Sequence, residues 1–350
     1  MSDVVARSKV QTVTGPIEPG DLGKTLMHEH LLIDLNPPRV RNDVPDAERR
    51  DTVIEACDCF KLNWNQKSSP ANFRLHDLGV LTRELREMRA AGGNSLVELT
   101  VGGLEPDPEG LVALAQASGV HIIMGCGHYV DEYQDPANTS RTVENFAAEM
   151  IAQLTVGAWG TTVKAGIIGE IGCQSPWTEQ EKRVMRGALL AQQHTGAALN
   201  VHPGRSVSQP FEVVDFVRAC GNPTSRLIIS HIDRTLFERD DILRLADTGC
   251  MIEFDLFGWE TTNYSPNPAI DMPNDGVRLR LIRALLDRGH LEQVLISHDI
   301  CMRSRLCHFG GHGYQHIFAN VVPLMLRRNF SQAEIDTILV TNPARLLTLQ

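Results

Sequence analysis

No uninterrupted apolar run in the 350-residue sequence is long enough to cross a bilayer, so a helical membrane protein is not expected. The first residues, MSDVVARSKVQTVTGP, carry scattered charges and lack the apolar core of roughly 7–15 residues that marks a secretory signal. A cytoplasmic location is the corresponding expectation. Paired cysteines are missing as well. Eight cysteines are spread from Cys57 to Cys307, and the one close pair, Cys57 and Cys59, is too tight for an easy disulfide or a zinc ribbon. Free thiols in a reducing compartment follow. Positive charge is scarce: 33 Lys and Arg against 43 Asp and Glu leave a formal charge of −10, which repels nucleic acid and anionic membrane. There is also no low-complexity block, no Pro/Ser-rich linker and no glycine-rich phosphate loop after any apolar run. Small-molecule chemistry is left as the better expectation.

What the chain does contain is an alternation. Eight apolar, β-branched runs read as strands: TLMHEHLLID (25–34), SLVELT (95–100), HIIMGCGHYV (121–130), AGIIGEIG (165–172), ALNVHPG (198–204), LIISHID (227–233), CMIEFDLFG (250–258) and VLISHDI (294–300). Between them, segments such as DLGVLTRELREMRAAGG and TEQEKRVMRGALLAQQHTG repeat apolar residues every three to four positions and end on glycine, the pattern of helices. Strand–helix alternation eight times over, with strands apolar enough to be covered on both faces, predicts a single (β/α)8 TIM barrel over residues 1–350. A hairpin-like lead-in precedes it, and an insertion at about 36–76 lies over its mouth. An open doubly wound sheet is the alternative, and the missing phosphate loop counts against it.

Polar residues interrupt these strands at one end. In TLMHEHLLIDL, alternation turns His28 and His30 to one face and Glu29 to the other. A His-x-His pair alone is as well explained by hydrogen-bonded core histidines. The set is harder to dismiss: His28 and His30 on the first strand, Glu170 on the fourth, His202 on the fifth, His231 on the sixth and Asp299 on the eighth all fall at the C-terminal mouth, where barrels carry their chemistry. Four imidazoles and two carboxylates suit two divalent ions, with Glu170 bridging them roughly 3.5–4 Å apart around a hydroxide, the bound water having a pKa near about 7. Zinc is the default, and manganese, cobalt or iron also accept nitrogen and oxygen ligands. Arg205, just after His202 in HPGRS, is suited to forking an anionic substrate, and Tyr129 at the end of the third strand to closing the other side. Arg234, His128, His312, Arg303 and Arg305 are further candidates for the pocket lining.

The ordered ligand set, with VQTVTGPIEPGDLGKTLMHEHL (10–31), AGIIGEIGCQ (165–174), NVHPGRS (200–206), SHIDRT (230–235), EFDLFG (253–258), SHDI (297–300) and GGHGYQHI (310–317), resembles the phosphotriesterase family of the amidohydrolase superfamily, most closely its phosphotriesterase-related branch. The resemblance implies that His28, His30 and Asp299 hold the more buried ion, His202 and His231 the more exposed one, and Glu170 the bridge. Two departures stand out. Gly169 occupies the position of the usual carboxylated lysine, so Gly169 and Gly172 are expected to allow a kink that turns Glu170 inward. Leu256 stands where a proton-relaying histidine is usual, which speaks against triester turnover. The activity implied is hydrolysis of a small anionic N-acetylated amide, N-acetyltaurine in particular, with Asp299 carrying the proton to the departing nitrogen. A lactonase or carboxylesterase, a weak phosphotriesterase, a TatD-like nuclease and a non-catalytic metal-binding barrel are the alternatives. A small anionic molecule is the expected partner, nucleic acid and membrane are not, and assembly as a homodimer is admitted.

Overall fold

A computed structural model describes residues 9–349. Eight parallel strands form one sheet: β1 (Thr25–Glu29), β2 (Ser95–Glu98), β3 (His121–Cys126), β4 (Ile167–Gly172), β5 (Leu199–His202), β6 (Leu227–Ile229), β7 (Met251–Phe254) and β8 (Val294–Ile296), each paired with its neighbour in sequence order. Seven helices cross between successive strands or pack over them: α1 (Leu78–Ala90), α2 (Pro108–Ser118), α3 (Val143–Thr155), α4 (Glu179–Thr195), α5 (Gln209–Ala219), α6 (Arg239–Ala246) and α7 (Asp275–Asp287). Several start on side-chain caps that satisfy otherwise orphaned N–H groups: Asp77 for α1, Asp107 for α2, Thr142 for α3, Thr178 for α4 and Asn274 for α7. The expected barrel is therefore present. Its eight strands sit where the apolar runs lie, and each is shorter than its run. Among the described residues no helix is long and apolar enough to cross a membrane, and all eight cysteines are free.

Alternation along the strands builds two cores. Met27, Val97, Ile123, Ile167, Ile228, Met251 and Leu295 from seven strands, with Ala198 just before β5, face inward and plug the lower barrel. Their neighbours Leu26, Leu96, Ile122, Ile168, Leu199, Ile229, Ile252 and Ile296 face outward under the helices. Full burial of each such side chain stabilises the fold by about 1.5–3 kcal/mol. The lead-in hairpin, Val10–Thr12 against Gly15–Ile17, closes the bottom, with Val10 joining the inner core. At the top, the excursion after β1 leaves and returns through an antiparallel pair, Ile33–Asp34 with Arg74–Leu75. Arg303 pins it there, donating to the carbonyls of Arg49, Arg50, Thr52 and Arg74 at 2.7–3.0 Å.

No ladder joins β8 to β1 among the described residues. The seam is held instead by Glu29, which faces away from His28 and His30 as alternation requires. Its buried carboxylate accepts from Ser297 Oγ (2.8 Å), the backbone N–H of His298 (2.9 Å), His298 Nδ1 (2.8 Å) and the backbone N–H of Ile300 (3.0 Å). Asp299 N–H completes the seam on the carbonyl of His28 at 3.1 Å. Removing a buried, fully bonded carboxylate leaves all its donors stranded, at a cost of about 3–5 kcal/mol. Glu29→Ala should therefore lower stability by about that amount, read from the denaturant midpoint; a loss under about 1 kcal/mol would show that the seam does not depend on it.

Candidate metal centre

The polar layer sits directly above the apolar plug, and reaching it requires a change of phase on two strands. Between Leu26 and Glu29 the β1–β2 register slips, so Met27 and His28 both serve the barrel interior at successive levels. Between Ile168 and Ile171 the β4–β5 register slips likewise. Gly169 there has φ +117°, and a Cβ on it would lie 2.3 Å from the carbonyl oxygen of Asn200. The residue must be glycine, and the kink turns Glu170 inward while Ile171 faces out. His30, His231 and Asp299 lie just past the ends of their strands. His231 (φ 54°) and Asp299 (φ 51°) take the left-handed backbone that non-glycine residues seldom adopt. That is why the sequence runs overshoot: the apolar pattern continues while the ladder has already ended.

All six residues converge. Glu170 Oε2 lies 2.9 Å from His202 Nδ1, 3.3 Å from His231 Nε2 and 3.5 Å from His28 Nε2, and Oε1 lies 3.5 Å from His30 Nε2. Asp299 Oδ1 is 3.3 Å from His30 Nε2 and 3.8 Å from His28 Nε2. Two groupings drawn from these six are tight enough to surround a cation, His28 with His30 and Asp299, and His28 with Glu170 and His231; His28 also groups with Glu253 and Asp255 behind it. The buried His28 Nε2 has no hydrogen-bond partner among the described residues, and His202 Nδ1 and His231 Nε2 point at each other across 2.9 Å. One buried ring nitrogen without a partner, and two more that meet each other over a single carboxylate, fit a bound ion better than a hydrogen-bonded core. The donor set suits a divalent cation.

The ring atoms facing away are held from behind. His231 Nδ1 lies 2.9 Å from Asp255 Oδ1, His30 Nδ1 3.0 Å from Thr100 Oγ1, and His28 Nδ1 3.3 Å from Glu253 Oε2. Asn200 and Ser230 donate to that Glu253 oxygen at 2.9 and 2.8 Å. Burial works against charge on each of the four imidazoles and on Glu170. It wins at His202, whose imidazole is pushed well below its ordinary value. At His28 it is overcome by the Glu170 and Asp255 carboxylates, at His30 by Asp299 and Glu170, and at His231 by Asp255, and all three are raised. Glu170 is held well below the usual carboxylate range, against its own burial, by His202 and His28. A cation held there competes with protons for the same ring nitrogens and carboxylate oxygens.

A cavity of about 510 Å³ opens over this layer, lined among others by Tyr129, Arg205, Arg234, Leu256, Trp259 and Met302. Arg205 Nε donates to Tyr264 Oη at 3.0 Å, and its two terminal nitrogens make no hydrogen bond among the described residues. Tyr129 packs edge-on against His202 with ring centroids 5.0 Å apart. Of the further candidates, only Arg234 lines this cavity. His128 is turned to Glu149 (2.8 Å), Arg303 pins the excursion after β1, Arg305 stacks on Trp259 from behind at 3.8 Å, and His312 packs beside His298 with centroids 5.4 Å apart. Sequence reading did not single out Glu253, Asp255 or Thr100 as supports. Asp255 had one signal: it is a carboxylate inside an apolar strand run.

The phosphotriesterase family model matches residues 8–347. A Bos taurus protein named N-acetyltaurine hydrolase is 40% identical over 347 residues, covering 98% of both chains. A Nematostella vectensis phosphotriesterase-related protein is 39% identical, covering 97% of this chain and 98% of its own. The crystal structure of a resiniferatoxin-binding protein from Rhodobacter sphaeroides superposes with a TM-score of 0.89 at 31% identity, over 97% of this chain and 95% of that one.

Because a carboxylate behind a ligating imidazole fixes its orientation and raises its basicity, Asp255→Asn should weaken metal retention about 10–100-fold. Chelator competition on the folded variant measures this; wild-type retention would mean that His231 is oriented by packing alone.

Proposed function

The chain belongs to the phosphotriesterase family, and from that premise we propose that this hydrolase uses two divalent ions to cleave the amide of a small anionic N-acyl substrate, with N-acetyltaurine the first candidate. The observation that carries this reading is one carboxylate, Glu170, within 2.9–3.5 Å of a ring nitrogen from each of four histidines, beneath a cavity that presents an unpaired guanidinium fork. His28, His30 and Asp299 would hold one ion, His202 and His231 the other, and Glu170 would join them; the nitrogen and oxygen donors suit zinc first. Ions bound there supply an acidified water with a pKa of about 7 and a Lewis acid for the amide carbonyl.

The remaining steps fall to side chains. Asp299 is the more exposed of the two acids that line the cavity, its side chain 16% exposed against 3% for Glu170, so its carboxylate takes the proton of the attacking water and returns it to the departing nitrogen. Amides require that delivery, because an amide anion is a very poor leaving group. Arg205, with Nε spent on Tyr264, offers its two terminal nitrogens to the sulfonate or carboxylate of the amine half. The Tyr129 phenol, pushed well up by burial, stays protonated and can donate to substrate across from it. Leu256, in the cavity wall, cannot relay a proton. A cytoplasmic role in small-molecule turnover fits the charge of −10 and the free thiols.

Elemental analysis of metal-replete protein should return two ions per chain, and Glu170→Gln should lower ion content and turnover together. A Gln variant with two ions and full turnover would put the bridge elsewhere. Arg205→Ala should cost about 1.5–3 kcal/mol in kcat/KM on anionic substrates and little on neutral N-acetyl amines. Equal losses on both would make Arg205 structural.

A further inference from the structure

The cavity wall is divided by strand order. The loops after β3, β5 and β6 contribute Tyr129, Glu132, Tyr133, Arg205 and Arg234, whereas those after β7, β8 and β1 contribute every aliphatic side chain of the lining, Leu35, Val40, Leu256 and Met302 among them, with Trp259 and Phe73 and the uncharged Asn36, Gln66 and Ser265. The first side continues past Tyr129 and Arg205 into a recess of about 340 Å³ with Glu132, Gln174 and Ser175 in its lining. Above the polar layer that holds His30 and Asp299, the second side carries no charged side chain. A substrate whose anionic end lies on Arg205 must therefore direct its acyl end toward an apolar wall.

That wall is built to stay in place. Trp259 has the Arg305 guanidinium on its face at 3.8 Å and the Tyr264 ring at its edge at 5.5 Å, and its carbonyl accepts from Arg278 Nη1 at 3.2 Å. Met302 and Leu256 are buried beside it. N-acetyltaurine has about ten non-hydrogen atoms, which even as separate waters would take roughly 300 Å³. A cavity of about 510 Å³ leaves space beyond it, and the methyl of an acetyl group covers little of the apolar side.

Building on the amide reading above, we propose that this chamber selects anionic amides with apolar acyl chains of about four to six carbons over the acetyl amide. Each methylene moved from water onto an apolar wall is worth about three- to fourfold in affinity. Four extra methylenes, partly buried, give a preference of at least about tenfold. The effect falls on kcat/KM, because the chain is buried in both ground and transition states.

The test uses the ion-loaded full-length protein and the taurine amides of acetic, butanoic, hexanoic and dodecanoic acids. kcat/KM should rise about tenfold from acetyl to hexanoyl and fall at dodecanoyl, which overfills the chamber; hexanoyl turned over no better than acetyl overturns the proposal and leaves the amide reading standing. Calorimetric binding of the uncleavable methylsulfonyl and hexylsulfonyl taurines supplies a readout free of turnover, with hexylsulfonyl expected at least about tenfold tighter and equal affinity counting against the chamber. Should no taurine amide be cleaved while that difference in binding persists, the amide reading fails and the apolar subsite stands. Val40→Trp, which fills the chamber, should lower the hexanoyl-to-acetyl ratio about tenfold; an unchanged ratio in the folded variant would locate the acyl group elsewhere.

Discussion

The site depends first on how the barrel closes. Every pair of neighbouring strands from β1 to β8 is joined by ladder bonds, and the last gap is spanned by the Glu29 carboxylate holding Ser297, His298 and Ile300. Because Glu29 must face the seam, the residues on either side of it must face the interior. His28 and His30 are thereby aimed, and Asp299, flanked by His298 and Ile300 and bonded through its N–H to the His28 carbonyl, is brought to them. One buried acid sets the mutual position of three of the six polar groups above the plug.

Moving from an apolar plug to a polar layer within a few ångströms needs a break in strand geometry. On β1 and β4 the break is a register slip, which lets successive residues serve the interior at two heights. On β6 and β8 it is a left-handed residue at the strand end, His231 and Asp299. Such backbone costs on the order of 1 kcal/mol or more at a non-glycine position and persists only where surroundings over-determine it. They do here: Asp255 accepts from both the backbone N–H and the ring of His231, at 2.9 Å each. The strained positions coincide with the residues that must leave the sheet plane to meet the others.

The barrel was legible because eight apolar runs alternate with helical periodicity, and the six residues that converge above the plug because each is a polar intrusion in such a run. Strand ends were not, since LIISHID and VLISHDI continue the β pattern through residues whose φ is positive, and no local pattern reveals that. The supports were hidden for another reason. Asp255, Glu253 and Thr100 matter through partners 24, 225 and 70 residues away in sequence, contacts that only the closed barrel creates. The arginines after the eighth strand misled in the opposite direction: Arg303 and Arg305 look like rim cations, yet one pins the excursion after β1 and the other backs Trp259.

The loop after β7 ties the two halves of the cavity together. It places Trp259 in the apolar wall and, five residues on, Tyr264 under Arg205, with the two rings in edge contact at 5.5 Å. Arg205 and Arg234 have no carboxylate within salt-bridge reach among the described residues, in a chain that carries a net charge of −10. Beyond a Debye length of about 10 Å the protein's overall charge is largely screened, so the field at the mouth is set by these two guanidinium groups and the Glu132 carboxylate beside them and not by the average surface. Positive charge is thus concentrated on the β3–β6 side of the cavity, and the aliphatic side chains of its lining stand opposite.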